Sequence, residues 1–320
     1  MNLDSAEIEK RVNDSYELPN NVLRGVPAPV VTVRTYTYQH GPYIRDCIEG
    51  VLAQKTTFPF EYIIGEDCSA DGTREIVFEY AQRYPDIIRV VTADYNVGGK
   101  ANVRRCINRT RGKYVALCEG DDYWISPLKL QRQVDLMEAH PDVSLCFHNA
   151  LILNEKYAAA RVFFETPPAA ILDFAAAYQL TLPTASILAR SQVLAVLPDW
   201  LLKTWCGDLP LRLWCAHQGN FGYLDQIMSV YRRHTGGSET NMRAQNYRTY
   251  YDEVINLYHE FDQATDYAHT ELIHREIARL WEGLLRQRLR RWYFLLRPCS
   301  IIARFREYAN WIYRQKNLER

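Results

Sequence analysis

The residues best suited to chemistry stand together in Cys118-Glu119-Gly120-Asp121-Asp122-Tyr123-Trp124, directly after the apolar run Tyr114-Val115-Ala116-Leu117. If that run is a buried strand, the carboxylates of Asp121 and Asp122 emerge at its C-terminal end, the edge where open α/β sheets bind ligands. Two adjacent carboxylates there suit a hard metal ion, with substrate phosphates and water completing its shell. An isolated Asp-Asp is more often a solvated turn before a helix, here one beginning near Pro127, so the surrounding pattern has to decide.

The first half of the chain supplies the elements to position such a pair. Val30 to Val33 reads as a β-branched strand, followed by helical spacing at Tyr43, Ile44, Cys47, Ile48, Val51 and Leu52. Phe60 to Ile64, Ile87 to Val91, Tyr114 to Cys118 and Val143 to Phe147 read as further strands. Helices fall between them, opened at Asp71, over Ala101 to Thr110, and after Pro127. Strands alternating with helices at this spacing predict a mostly parallel sheet covered on both faces. Beyond about residue 150 the pattern loosens. Pro167-Pro168 marks a linker, Ser186 to Leu188 a short strand, Leu209 to His217 a helix, and Phe221 to Tyr231 one or two strands. From Ala244 the spacing is helical, and His234-Thr235-Gly236-Gly237-Ser238 reads as a flexible loop.

Two common nucleotide-binding solutions are excluded. No G-x-G-x-x-G follows the first strand, where Thr35-Tyr36-Thr37-Tyr38 stands instead, and Gly98-Gly99-Lys100 lacks the other residues of a P-loop. The strand ends present Thr35 and Tyr36, then Glu66 and Asp67, then Asn96, then Asp121 and Asp122. That set suits a nucleoside diphosphate with its metal.

The ordered motifs Val31-Thr32-Val33-x-Thr35-Tyr36, Glu66-Asp67-Cys68-Ser69-Ala70-Asp71-Gly72-Thr73, Asn96-Val97-Gly98-Gly99 and Glu119-Gly120-Asp121-Asp122-Tyr123-Trp124 resemble family 2 glycosyltransferases of the GT-A fold, of the bacterial surface-polysaccharide type. The resemblance covers residues 28 to 150 closely and 180 to 240 more loosely. It implies an α/β nucleotide-diphospho-sugar transferase fold with a mostly parallel central sheet flanked by helices and a helical C-terminal extension. By the same resemblance Asp67 contacts the nucleotide base, with uridine the expected base, and Thr35 and Tyr36 line the base and ribose pocket. Asp121 lies near ribose and metal, and Asp122 ligates Mn2+ or Mg2+ bridging the diphosphate. Glu119 stands where the family usually has aspartate. Asn96 belongs to the donor side, and Lys100 reaches a phosphate or the sugar, or else is a solvated lysine at a helix start.

In an inverting transfer a carboxylate takes the proton of the attacking hydroxyl. Trp205-Cys206-Gly207-Asp208-Leu209-Pro210-Leu211 resembles the family segment that carries this base, which selects Asp208; an N-cap for the following helix is the simpler reading and is compatible with it. The resemblance also places His234, with Arg232 or Arg233, over the diphosphate, and makes His234 a further metal ligand. The expected partners are a nucleotide-sugar donor and a glycan or lipid-linked saccharide acceptor.

Length and composition set the frame. A chain of 320 residues, 48% apolar, can bury a large core and is long for one ordinary domain. The expected division is an N-terminal extension over 1–27, a catalytic domain over 28–240 with nucleotide-binding (28–150) and acceptor (151–240) halves, and a helical region over 241–320. The eight cysteines lack C-x-x-C spacing, which favours free thiols in a reducing cytoplasm over structural zinc. No signal-peptide core or membrane-spanning run is found.

The net charge of zero hides an uneven distribution: from Arg286 onward ten Lys or Arg face two acids, an excess of eight that residues 1–285 balance. Within that tail Ile301, Phe305, Tyr308 and Ile312 share a helical face beside Arg304, Arg306 and Arg314. This fits peripheral contact with the inner face of the cell membrane, or packing on the protein itself or across a homodimer. An acidic body without a long basic groove excludes nucleic acid as the expected partner. Two other functions fit the same sheet. A sugar-nucleotide-forming nucleotidyltransferase would need a glycine-rich basic loop after Val33, which is missing, and a non-catalytic nucleotide-sugar-binding scaffold would not need Asp67, Asp121, Asp122 and Asp208 together.

Overall fold

The computed structural model describes residues 4–295 apart from 23–27, 155–158, 196–197, 199, 202–207 and 234–246. Helix α1 (Ser5–Asn13) and the two-residue strand β1 (Tyr16–Glu17) precede an alternating half. That half comprises β2 (Val31–Thr37), α2 (Ile44–Leu52), β3 (Phe60–Glu66), α3 (Thr73–Arg83), β4 (Ile88–Thr92), α4 (Gly99–Ile107) and β5 (Tyr114–Leu117). After β6 (Tyr123–Trp124) and α5 (Lys129–Ala139) come β7 (Val143–Asn154), β8 (Ala159–Val162), β9 (Ile171–Leu172), α6 (Phe174–Ala177), β10 (Leu188–Arg190), α7 (Ser191–Ala195), α8 (Asp208–Gln218) and β11 (Asn220–Arg233). Two long helices follow, α9 (Tyr247–Ala264) and α10 (Thr270–Leu295).

The strands form one mixed sheet in the order β1-β4-β3-β2-β5-β10-β7-β11-β6, with β8 on β7 and β9 on β11. The stretch β4-β3-β2-β5 is parallel. Strand β10 runs antiparallel between β5 and β7, and β11 is parallel to β7. Central strands can be apolar on both faces because helices cover both. Val31, Val33, Ile64 and Val90 are buried together with Ile44, Cys47, Ile48 and Val51 of α2, and each such aliphatic side chain contributes about 1.5–3 kcal/mol of burial. One charged cluster in these strands lies at the sheet's opposite end from the acidic turn. Buried Glu61 accepts from Thr32, Arg89 and Arg111, and Arg89 also reaches Glu17 of β1.

The strand expected over Ser186 to Leu188 is found at Leu188–Arg190, and three further elements differ from the sequence expectation. Strand β2 runs four residues beyond Val33, because the β-branched and aromatic Thr35-Tyr36-Thr37 continues the ladder with Ile64, Gly65 and Glu66. Strand β7 continues to Asn154, paired along its length with β11. Part of the segment expected as an N-terminal extension joins the sheet: β1 pairs antiparallel with β4, and Ile8 and Val12 of α1 pack on Val97 and Ala101. Helix α9 packs on α8, with Leu209 and Leu213 clustered with Val254, Leu257 and Phe261, and α10 packs on α9. Among the described residues no helix is long and apolar enough to cross a membrane.

Candidate active site

Strands β2, β3 and β4 progress toward one edge, and the chain then returns through α4 to lay β5 on the other side of β2. This reversal leaves a crevice between the C-terminal ends of β2 and β5, the place where open sheets of this kind bind ligands. The segment after β5 fills one side of it. Its turn is closed by Asp122 N donating to Glu119 O at 3.0 Å, and it is tied to β2 by Gly120 N donating to Tyr36 O at 3.2 Å. The Cys47 thiol of α2 donates to Glu119 O at 3.3 Å. Gly120 is required by close approach, since a Cβ there would lie 2.6 Å from His40 Nδ1 and 2.7 Å from Thr37 Oγ1.

Asp122 is 1% exposed. Its Oδ1 accepts from Arg232 N at 2.9 Å, and its Oδ2, also buried, has no hydrogen-bond partner among the described residues. Burial first, then the neighbouring Asp121, pushes its carboxyl well above the usual carboxylate range. Asp121 is half-buried, and its carbonyl accepts from Arg232 Nη1 at 3.0 Å. The Arg232 guanidinium lies over the rings of Tyr43 (5.2 Å) and Tyr123 (4.4 Å) and bonds Asp46. Arg232 therefore clamps β11 and α2 onto the acidic turn.

Asp67, at the end of β3, is also buried, yet both of its oxygens are engaged. Oδ1 accepts from Val97 N at 2.8 Å and Oδ2 from Gly98 N at 3.0 Å. Asn96 Nδ2 donates to Asp67 O at 3.2 Å. Burial raises the Asp67 carboxyl, while these amides and Arg105, 3.8 Å away, oppose the rise. Glu66 is spent similarly, on the amides of Cys68 and Ser69 and the hydroxyl of Thr92.

The expected pocket residue Thr35 is displaced from the crevice. It is fully buried, and its hydroxyl is bonded to Tyr62 OH at 2.8 Å and lies 3.6 Å from Cys47 Sγ. Because β2 is longer than expected, Thr37 and the 46% exposed Tyr38 stand at its C-terminal end instead. Tyr36 is half-buried, packed against the Val115 and Leu117 cluster and the Ile63 and Cys106 cluster. Lys100, in the first turn of α4, is half-buried; burial lowers its pKa, and Glu253 of α9 opposes the fall. Asp208 is the first residue of α8, one position before the helix start expected near Leu209, and its charge favours the charged form of buried Arg212 one turn on. His234 and the motif residues Trp205, Cys206 and Gly207 lie outside the described residues.

His40 was not selected from the sequence. Its Nδ1 is 3.3 Å from Thr37 Oγ1, and its amide donates to Thr73 Oγ1 at 2.8 Å. Burial lowers its pKa against the pull of Asp121 and Asp71. Its place three residues beyond the end of β2 was the available signal. Lys129 was also missed: it is fully buried, its ammonium lies 4.1 Å from the centre of the Trp124 ring, and burial lowers its pKa to about 7.

Among the described residues no three acidic, histidine or cysteine side chains gather as a metal cage. The donor set instead suits a cation held by one or two carboxylates with substrate phosphates completing the shell. The buried, unbonded Asp122 Oδ2 beside Asp121 fits that arrangement, because a cation there would offset the repulsion and desolvation that raise Asp122.

A mixed α/β sheet with this switch point is the architecture of GT-A glycosyltransferases, and solved structures of that fold superimpose on it. Staphylococcus aureus TarS, residues 1–349 with UDP-GlcNAc, covers 78% of this chain and 72% of its own with a TM-score of 0.60 and 17% identity. The mannosyltransferase PcManGT of Pyrobaculum calidifontis with GDP-Man and Mn2+ covers 95% and 86%, with a TM-score of 0.54 and 14% identity.

Residues 32–187, just under half of the chain, match the model of Glycosyl transferase family 2, and that segment is a family 2 glycosyltransferase domain. Curated relatives include uncharacterized proteins of Mycobacterium tuberculosis and Mycobacterium bovis, 34% identical over 216 residues, 65% of this chain. The match spans 60% of the length of these relatives. A Bacillus subtilis protein whose name attributes to it a glycosyltransferase role in teichuronic acid biosynthesis, TuaG, is 37% identical over 109 residues, 34% of this chain and 42% of its own.

Proposed function

We propose that this chain is an inverting, metal-dependent glycosyltransferase. It transfers a sugar from a nucleotide-diphosphate donor, UDP-linked in our reading, to a hydroxyl of a glycan or lipid-linked saccharide in surface polysaccharide synthesis. The observation that carries the reading is the buried, unbonded oxygen of Asp122 beside Asp121, held at the switch-point crevice by β11 and α2. The relatives' printed names and the UDP-GlcNAc and GDP-Man complexes of the superimposed enzymes support the donor class and the setting.

Asp122 and Asp121 would hold Mn2+ or Mg2+, which when bound stabilises charge on the departing diphosphate. Asp67, with the Asn96 loop it orders, receives the nucleoside, and Tyr36 and Tyr38 border it. Lys100 and His234 are assigned to the diphosphate, while Arg232 acts through the turn it clamps. As the acceptor hydroxyl attacks the anomeric carbon, the bond to the nucleoside diphosphate breaks and Asp208 takes the hydroxyl proton. The catalytic assignment runs over residues 28–240. The basic C-terminal region, beginning near the exposed Trp281 and Leu285 of α10, would hold the enzyme at the inner membrane face, where a lipid-linked acceptor resides.

Isothermal titration with UDP, GDP, dTDP and CMP, each with Mn2+ and with EDTA, tests the donor site. Metal-dependent binding of one nucleotide is expected, and binding of none by folded protein would remove the reading. Asp208→Asn should keep that affinity and lose about 10²–10⁴-fold in transfer; unchanged turnover would exclude Asp208 as the base.

A further inference from the structure

The family match begins at Thr32, so α1 and β1 lie outside it, yet their side chains converge on one loop, residues 94–98. Arg11 Nη1 donates to Val97 O at 3.1 Å, and its Nε is held by Glu7 Oε1 at 2.8 Å. Tyr16 OH donates to Asp94 Oδ1 at 2.9 Å, and Tyr95 OH donates to Asp14 Oδ2 at 2.7 Å. A second tie runs through Arg105, fully buried, which donates to Ser15 Oγ at 3.2 Å and to Glu66 O at 2.7 Å.

The loop is thereby gripped from two sides. Asp67 takes the amides of Val97 and Gly98, and Arg11 takes the carbonyl of Val97. Gly98 has φ 87° and ψ 151°, a conformation outside the ordinary regions of L-residues. A glycine can visit many other conformations, so holding it there depends on the groups around it.

We infer that α1 and β1 brace the donor side of the site, and that Arg11 is a positioning residue fixing the 97–98 peptide against Asp67 and so setting nucleotide affinity. The inference rests on the assignment of Asp67 to the nucleotide. Arg11 acts through that loop and touches no assigned catalytic group. Its side chain is 25% exposed, so replacement by a side chain with a similar stem leaves the core intact.

The test uses the full chain as wild type, Arg11→Met and Arg11→Lys, the last retaining a donor. Hydrogen exchange reads the loop without any ligand. Amides 97 and 98 should exchange about tenfold faster in Arg11→Met, corresponding to loss of one hydrogen bond, and near the wild-type rate in Arg11→Lys. Amides 115–117 of β5 should be unchanged in both. Titration with UDP or GDP plus Mn2+ should show about tenfold weaker binding in Arg11→Met, restored by Arg11→Lys. Unchanged exchange at 97 and 98 overturns the brace whatever the ligand. Faster exchange with wild-type nucleotide affinity overturns its link to donor binding. If wild type binds neither nucleotide, the donor assignment of Asp67 falls, and the affinity half of this inference with it.

Discussion

Two acidic pairs flank β2, Glu66-Asp67 at the end of β3 and Asp121-Asp122 just beyond β5, and they spend their oxygens differently. On the β3 side every carboxylate oxygen already accepts from the protein: Glu66 orders the turn to α3, and Asp67 orders the loop to α4, leaving only a second lone pair on each Asp67 oxygen for a nucleoside. On the β5 side Asp122 gives one oxygen to Arg232 N and keeps the other buried and unbonded. The same residue type at the same edge therefore shapes a loop in one case and keeps a whole oxygen open for a cation in the other. The distinction comes from which neighbouring backbone amides point at the carboxylate.

The contrast is sharpest in Asp122→Asn. The amide keeps an acceptor for Arg232 N but carries no charge for a cation, so metal-stimulated nucleotide binding should vanish and transfer fall about 10³-fold, about 4 kcal/mol. Folding should be unharmed, because a buried carboxyl is removed. Calorimetry with and without EDTA reads the first effect, and retained metal dependence would dissolve the distinction between the pairs.

Asp67→Asn should behave in the opposite way. One acceptor oxygen cannot serve both Val97 N and Gly98 N, so a buried donor is stranded at a cost of about 1–3 kcal/mol in stability, measured by urea unfolding. Metal dependence should survive in whatever nucleotide binding remains. Unchanged stability would show that Asp67 is not the staple of that loop.

The smallest effect concerns His148, fully buried, whose pKa is pushed down to about 3 by burial and then by the nearby Lys129 ammonium. Its unfolded value is about 6.5, so between pH 6.5 and 3 the unfolded state binds a proton that the folded state refuses. Stability should therefore fall as pH drops below 6.5, by about 2 kcal/mol at pH 5. His148→Gln should flatten that slope, as seen in urea midpoints across pH 5–7.5. An equal slope in both proteins would assign the acid sensitivity elsewhere.

Much of the donor half was legible because local patterns and tertiary structure agree there. β-Branched runs bounded by turn residues gave β2 to β5, and Asp121-Asp122 stood out because two acids directly follow an apolar strand. The placement of Thr35 was not legible. A strand's end depends on how far its neighbour continues to pair, and β3 carries β2 on to Thr37. Lys129 and Arg11 were invisible for a related reason: a lone polar side chain declares itself only when the fold brings a partner to it.

The sequence by itself determined the alternating architecture, the acidic turn after β5 and the family 2 motifs, since these rest on periodicity and short motifs in contiguous residues. Tertiary structure decided which carboxylate oxygens are spent and which are kept, and that Arg232 clamps the turn from β11, 110 residues away from Asp122 in sequence. It also decided that α1 grips the loop before α4. These outcomes depend on distances between segments far apart in the chain, which no local pattern encodes.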